Sequence, residues 1–85
     1  MMYLYSIKDD AAQCFMTLSP SQNLAVVRRQ LSAAVNTPDN KNLYHTNPED
    51  FSLYCVGTFD EQTGVVTSDI KFEFRLTDLV KSDAQ

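Results

Sequence analysis

Residues 47–66 read NPEDFSLYCVGTFDEQTGVV, and the fold turns on how this stretch is read. Its centre alternates cleanly: Phe51, Leu53, Cys55, Gly57 and Phe59 face one way, and Ser52, Tyr54, Val56 and Thr58 the other. Period-two patterning with aromatic and β-branched residues predicts a strand with one buried face. The polar Asn47-Pro48-Glu49-Asp50 ahead of it is turn chemistry. Behind it, Asp60-Glu61-Gln62-Thr63-Gly64 closes a hairpin in which Gly64 takes positive φ at little cost, so Val65–Thr67 returns antiparallel. Gly57 inside the strand predicts a bulge or a close backbone approach.

Working outward, residues 70–76 continue the pattern. Ile70, Phe72, Phe74 and Leu76 fall on one side and Lys71, Glu73 and Arg75 on the other, as expected of a half-buried last strand. Towards the N-terminus, residues 3–8 alternate Tyr3, Tyr5, Ile7 against Leu4, Ser6, Lys8. After a turn at Asp9–Ala11, Cys14, Met16 and Leu18 oppose Phe15 and Thr17 in a second strand that pairs back on the first. Ser19-Pro20-Ser21-Gln22 has the form of a helix start, with Ser19 as cap, Pro20 at the first helical position and Gln22 as the reciprocal partner. The predicted helix runs 20–35. Its apolar stripe is Leu24, Val27, Leu31, Ala34 and Val35, with Arg28 at the border. Asn36 suits its C-terminal end, and Pro38 prevents continuation. Residues 36–50 then form a polar connection containing the single histidine, His45, read as an ordinary loop residue.

The expected fold class is therefore α+β: an antiparallel sheet in β-β-α-β-β order with one helix packed on one face. Residues 1–80 are expected to form one domain and residues 81–85 a frayed tail. One helix covers one face only. The other, carrying Tyr54 with Lys71 and Arg75, is expected to be polar or to meet a second subunit. A chain of 85 residues has a small core, and oligomerisation is a common remedy, so a homo-oligomer is expected.

Composition removes several function classes. Seven Lys and Arg stand against eleven Asp and Glu, a net charge of -4, whereas a chain that binds nucleic acid by bulk charge carries an excess of cations. No apolar run approaches the roughly 20 residues that span a bilayer, and the opening MMYLYSIKDD lacks the basic and apolar regions of a signal peptide, so a cytoplasmic protein is expected. Cys14 and Cys55 have no ligand-like neighbours and are read as buried free thiols, with no metal or cofactor implied. With two glycines in all, no phosphate-cradling loop is available, and the paired carboxylates sit at turns, so no enzyme is expected. The basic residues Arg28 and Arg29, adjacent on the helix, are the one basic doublet.

Three blocks also share an order and spacing with a known family. NPEDFSLYCVGTFDEQTG resembles the signature of the small nonstructural protein of gokushovirus-type Microviridae, single-stranded DNA phages. The matching positions are Pro48, Glu49, Asp50, Phe51, Leu53, Tyr54, Gly57, Phe59, Asp60, Thr63 and Gly64. YLYSIKDDAA is similar to that family's opening, and VVRRQLSAAVN to its helix. The match departs at Asn47, where many relatives carry a histidine. The resemblance implies a nonenzymatic accessory protein of the infected bacterial cytoplasm. It also implies a role with single-stranded DNA, in its synthesis or in the switch to packaging. Two functional expectations follow. In one, an oligomer gathers Arg28, Arg29, Lys71 and Arg75 around single-stranded DNA, with Tyr3, Tyr5 or Tyr54 as stacking surfaces. In the other, the chain is an adaptor that binds a phage replication or capsid protein, or a host factor, without touching DNA.

Overall fold

The computed structural model describes residues 1–81. Strands β1 (Met2–Asp9), β2 (Cys14–Ser21), β3 (Phe51–Phe59) and β4 (Val66–Arg75) form one sheet in the order β2-β1-β3-β4. Every neighbouring pair is antiparallel. Helix α1 (Leu24–Val35) lies between β2 and β3 in the chain and covers one face of the sheet. The α+β class and the antiparallel sheet with a covering helix thus hold. The tail expected from residue 81 lies, past Lys81, outside the described residues.

The core forms where the helix stripe meets the period-two face of the strands. Val27 and Val35 of α1 pack with Tyr5, Phe51, Leu53, Cys55 and Phe74 of the sheet. Leu24, Leu31 and Ile7 are half-buried against the same cluster. Leu76 and Leu79 close its end from a single 3-10 turn, Leu76–Leu79, that follows β4 directly. Leu53, Leu76 and Val35 are at most 1% exposed, so a sheet residue, a residue of the closing turn and the last residue of α1 are the most deeply buried apolar side chains of this core.

The helix begins later than its sequence signature indicates. Ser19, Pro20 and Ser21 remain in β2, paired with Tyr5, Leu4 and Tyr3. Pro20 cannot donate to a ladder, but β2 is an edge strand and its outer side needs no donor. The cap is Asn23, whose side chain accepts from the Val26 N–H at 3.1 Å. A Ser-Pro-x-Gln signature is local; pairing with β1 extends the strand through it.

The polar connection is also structured. Leu43–Thr46 forms a short helix, α2, and Pro48–Asp50 a single 3-10 turn that delivers the chain into β3. Asn42 joins these pieces to α1: its amide donates to the carbonyls of Ala34 (2.7 Å) and Thr37 (3.2 Å). The Tyr44 ring packs edge-on against Phe51 at 4.9 Å. His45 Nδ1 lies 2.9 Å from the Val35 carbonyl, a bond that requires a proton on that nitrogen and gives His45 a structural task.

Asn36 locks the C-terminal end of α1. Its amide donates to Ser32 O (2.7 Å) and Leu79 O (2.9 Å), and its Oδ1 accepts from Lys81 N (2.9 Å). Replacing it leaves partly buried groups unpartnered, at about 1–3 kcal/mol for such a group. Asn36→Ala is therefore expected to lower the urea-unfolding free energy by about 2 kcal/mol. A loss under about 0.5 kcal/mol would show that water replaces these bonds freely.

Two phenols, Tyr5 buried and Tyr44 half-buried, give the fold an alkaline limit. Burial raises the pKa of Tyr5 above its ordinary 10.0, with smaller contributions from Cys55, Glu73 and Tyr3. Burial also raises Tyr44, and the Asp9 carboxylate adds to it. Both folded values exceed the unfolded ones, so this contribution is whole below about pH 10 and is lost as pH rises through the folded values. Urea midpoints should fall between about pH 9 and pH 11, and fall less in the Tyr5→Phe/Tyr44→Phe variant. An unchanged slope in that variant would exclude the two phenols as the cause.

The uncovered aromatic face of the sheet

The face opposite α1 is built by β-bulges. Along β3 the partner on β4 changes from Phe74, opposite Leu53, to Phe72, opposite Tyr54, so Glu73 is an extra residue. That extra residue turns Phe72 away from Phe74. Phe74 is 6% exposed in the core, while Phe72 is 54% exposed on the other side. The expectation that Ile70, Phe72, Phe74 and Leu76 share one buried face is thereby corrected. A second bulge, between Ser6 and Lys8 in the pairing of β1 with β2, sets Leu18 opposite Ser6 and Phe15 opposite Lys8. Cys14, Met16 and Leu18 therefore do not share a face against Phe15.

The register that results has two cross-strand rows on the uncovered face. Arg75, Ser52, Lys8 and Phe15 form one; Phe72, Tyr54, Ser6 and Leu18 form the next. Tyr54 packs edge-on against Phe15 at 5.2 Å and against Phe72 at 5.6 Å between ring centroids. Three rings thus run across three strands. The Lys8 ammonium sits 5.7 Å from the Phe15 centroid and 5.9 Å from that of Tyr54, within cation–π range. Ser6 is buried beneath, its hydroxyl donating to Met16 O at 3.0 Å. Ser52 donates to the Asp10 carboxylate at 2.7 Å, which ties the β1–β2 turn to this corner.

The other expected residues are dispersed. Tyr5 is 4% exposed in the core and offers no stacking surface, because the β1 alternation points it at α1. Tyr3, on the same side of β1, is exposed beside it, with ring centroids 6.4 Å apart. Arg28 stacks over the Phe74 ring at 4.8 Å and Arg29 is exposed on α1; both line a shallow groove beside Leu76–Leu79, on the helix side of the sheet. Lys71 pairs across the ladder with Cys55 and meets Asp69 at 3.7 Å, so it too belongs to the helix side. Arg28, Arg29, Lys71 and Arg75 do not gather. Of the seven residues expected to contact nucleic acid, the structure brings Tyr54 and Arg75 to one surface and joins to them Phe15, Phe72 and Lys8. Bulges carry no local sequence signal beyond glycine, so only the surplus of apolar strand residues over what one helix can cover pointed to these three.

The family-motif residues divide in the same way. Phe51 and Leu53 are core, and Tyr54 is the middle ring of the uncovered face. Pro48, Glu49 and Asp50 form the 3-10 turn, whose Asp50 carbonyl accepts from Asp10 N at 2.8 Å. Asp60, Thr63 and Gly64 shape the β3–β4 hairpin: Gly64 N–H donates to Asp60 O at 2.7 Å, and Asp60 N–H to Val65 O at 2.9 Å. Phe59 ends β3 opposite Met2 and Val66. Cys55 is buried as expected, but Cys14 is exposed, because it opens an edge strand where no layer covers it.

Fold and surface together define a small α+β sheet protein with an open aromatic platform. The family described as Phage ORF5 protein matches residues 2–79, and the chain belongs to it. Protein ORF5 of Chlamydia phage 1 is 35% identical over 65 residues, which cover 74% of this chain and 68% of that protein. No solved structure matches the chain. This is a phage protein, as the sequence blocks implied, and among the described residues no helix is long and apolar enough to cross a membrane.

Proposed function

We propose that this phage protein is a nonenzymatic accessory factor that binds single-stranded DNA on the uncovered sheet face. It would act in the infected cell, in viral single-strand synthesis or in the switch to packaging. The observation that supports this is the ladder Phe15–Tyr54–Phe72, with Lys8 against two of its rings and Arg75 in the adjacent row. Bases stack on aromatic faces and edges without regard to sequence, and flanking cations meet phosphates. A single strand lying across β2, β1, β3 and β4 would follow that row. The net charge of -4 argues against broad electrostatic attraction and confines the contact to this patch.

Fluorescence anisotropy of a labelled oligonucleotide across a salt series tests the reading. Two phosphate contacts, at Lys8 and Arg75, correspond to a slope of log K against log salt of roughly -1.4. Lys8→Ala or Arg75→Ala should each make that slope shallower by about 0.7. No binding at low salt would refute the proposal.

One observation favours a protein partner as the second reading. The same face exposes Leu18 (53%), which contributes nothing to a phosphate backbone. An adaptor for a phage replication or capsid protein, or a host factor, would bind there with little dependence on salt and leave the oligonucleotide titration flat.

A further inference from the structure

We propose that the groove between α1 and the segment that follows β4 is a docking site for an extended acidic segment of a protein partner. The helix supplies one wall: Arg28 and Arg29 line it together with the small residues Ala25, Ser32 and Ala33. Asp78, Val80 and Lys81 line the other. That second wall is fixed in place, because Asn36 at the end of α1 donates to Leu79 O at 2.9 Å and accepts from Lys81 N at 2.9 Å. Ala25 to Ala33 span about 12 Å of helix axis, the length of roughly three or four extended residues.

Charge selects an anionic occupant. Three of the chain's seven cationic side chains line this groove beside a single carboxylate, a local charge of +2 on a chain of net charge -4. Among the described residues, none of Arg28, Arg29 and Lys81 forms an ion pair. Arg28 rests one face of its guanidinium on the Phe74 ring, which leaves the N–H donors in its plane to grip a carboxylate. The acidic remainder of the chain does not cancel this attraction, since exposed charges beyond about 8 Å are largely screened.

The same lining favours a polypeptide over a nucleic acid. Bases need exposed rings to stack on, but no aromatic residue among the described ones lines the groove, and Phe74 beneath Arg28 is buried. A single strand carries a charge at every nucleotide and must set a phosphate against Asp78, whereas a peptide can place an uncharged residue there. Ala25, Ala33 and Val80, which is 51% exposed, then cover small apolar side chains between the carboxylates. The groove lies on the helix side, apart from the aromatic face, and does not depend on the DNA reading.

Fluorescence anisotropy of a fluorescein-labelled peptide of alternating Glu and Val, titrated with the intact chain, tests it against the same peptide carrying Gln for Glu. The wild type should bind the Glu peptide about tenfold more tightly. Arg29→Glu with Lys81→Glu should raise its dissociation constant about tenfold or more, because two attractions become repulsions. Both side chains are exposed and the Lys81 backbone bond is kept, so circular dichroism should show this variant folded. Asp78→Asn removes the one repelling carboxylate and should tighten binding about twofold, a gain that damage to the fold does not produce. Equal binding of the two peptides, an R29E/K81E chain that binds like the wild type, or an oligonucleotide that displaces the peptide would each overturn the proposal. Phe15→Ala with Phe72→Ala should leave peptide binding unchanged, so the groove and the aromatic face fail separately; loss of the peptide in that variant would place its contact on the sheet face and overturn the groove.

Discussion

Gly57→Ala should cost about 3 kcal/mol or more and lower the melting temperature by roughly 12–24 °C, the largest effect expected of any single methyl group in this chain. β3 is central, and Gly57 pairs with Leu4 on β1 and Ser68 on β4 at the point where both ladders shift register. A Cβ at that position would lie 2.1 Å from the Thr67 carbonyl oxygen, 3.1 Å from the Thr67 carbonyl carbon and 3.3 Å from Ser68 Cα. All three atoms are backbone, so no side chain can rotate aside. The N-terminal part of β4 would have to leave β3, taking the Thr58–Thr67 and Phe59–Val66 pairs with it. Gly64→Ala is the control. Gly64 has φ +78 and nothing within 4 Å of the added carbon, so only the left-handed backbone penalty of about 1–2 kcal/mol applies. Urea and thermal unfolding of the two variants decide the matter. A Gly57→Ala chain as stable as Gly64→Ala would mean that β4 does not press on Gly57 as described.

The second large effect concerns affinity. Phe15→Ala with Phe72→Ala should weaken oligonucleotide binding by about a hundredfold. Each ring removed is worth roughly 1–3 kcal/mol of base stacking, and 1.4 kcal/mol is tenfold. The two rings flank Tyr54 and are 42% and 54% exposed, so their loss leaves the core of Tyr5, Leu53 and Phe74 untouched. The melting temperature should move by only a few degrees, roughly in line with surface substitutions. Arg28→Ala/Arg29→Ala should change affinity by about twofold at most. These guanidinium groups stand on the helix side, and exposed charges beyond a Debye length of about 8 Å are largely screened. Wild-type binding by the Phe15/Phe72 variant, or a collapse of binding on losing the arginines, would move the DNA contact off the aromatic face.

The uneven legibility of these features has a physical cause. β3 could be read because its alternation from Phe51 to Cys55 is uninterrupted, and the core there contains the residues that the pattern places inside. The helix stripe could be read for the same reason, with Val27 and Val35 buried at the expected spacing. Gly57 and the hairpin at Asp60–Gly64 announced themselves through glycine chemistry. The start of α1 was misplaced, since Ser19-Pro20 has the form of a cap, and only the distant partners Tyr3, Leu4 and Tyr5 hold it in β2. The positions of Phe15 and Phe72 were hidden more deeply. One inserted residue reverses the side to which every later residue points, and a bulge forms wherever cross-strand packing favours it, with no fixed residue type at Glu73 or Met16 to mark it.

From its sequence alone, then, this protein was determined to be an α+β chain with an antiparallel sheet, one amphipathic helix and family blocks that place it among phage proteins. Those properties follow from local periodicity, turn chemistry and the order of short motifs. The tertiary structure decided which residues share a surface. The register between strands separates Arg28, Arg29 and Lys71 from Arg75, sends Tyr5 into the core, and assembles Lys8, Phe15, Tyr54 and Phe72 on the face that α1 leaves open. Register is a relation between strands distant in the chain, set by packing after the strands exist, and no single strand contains it.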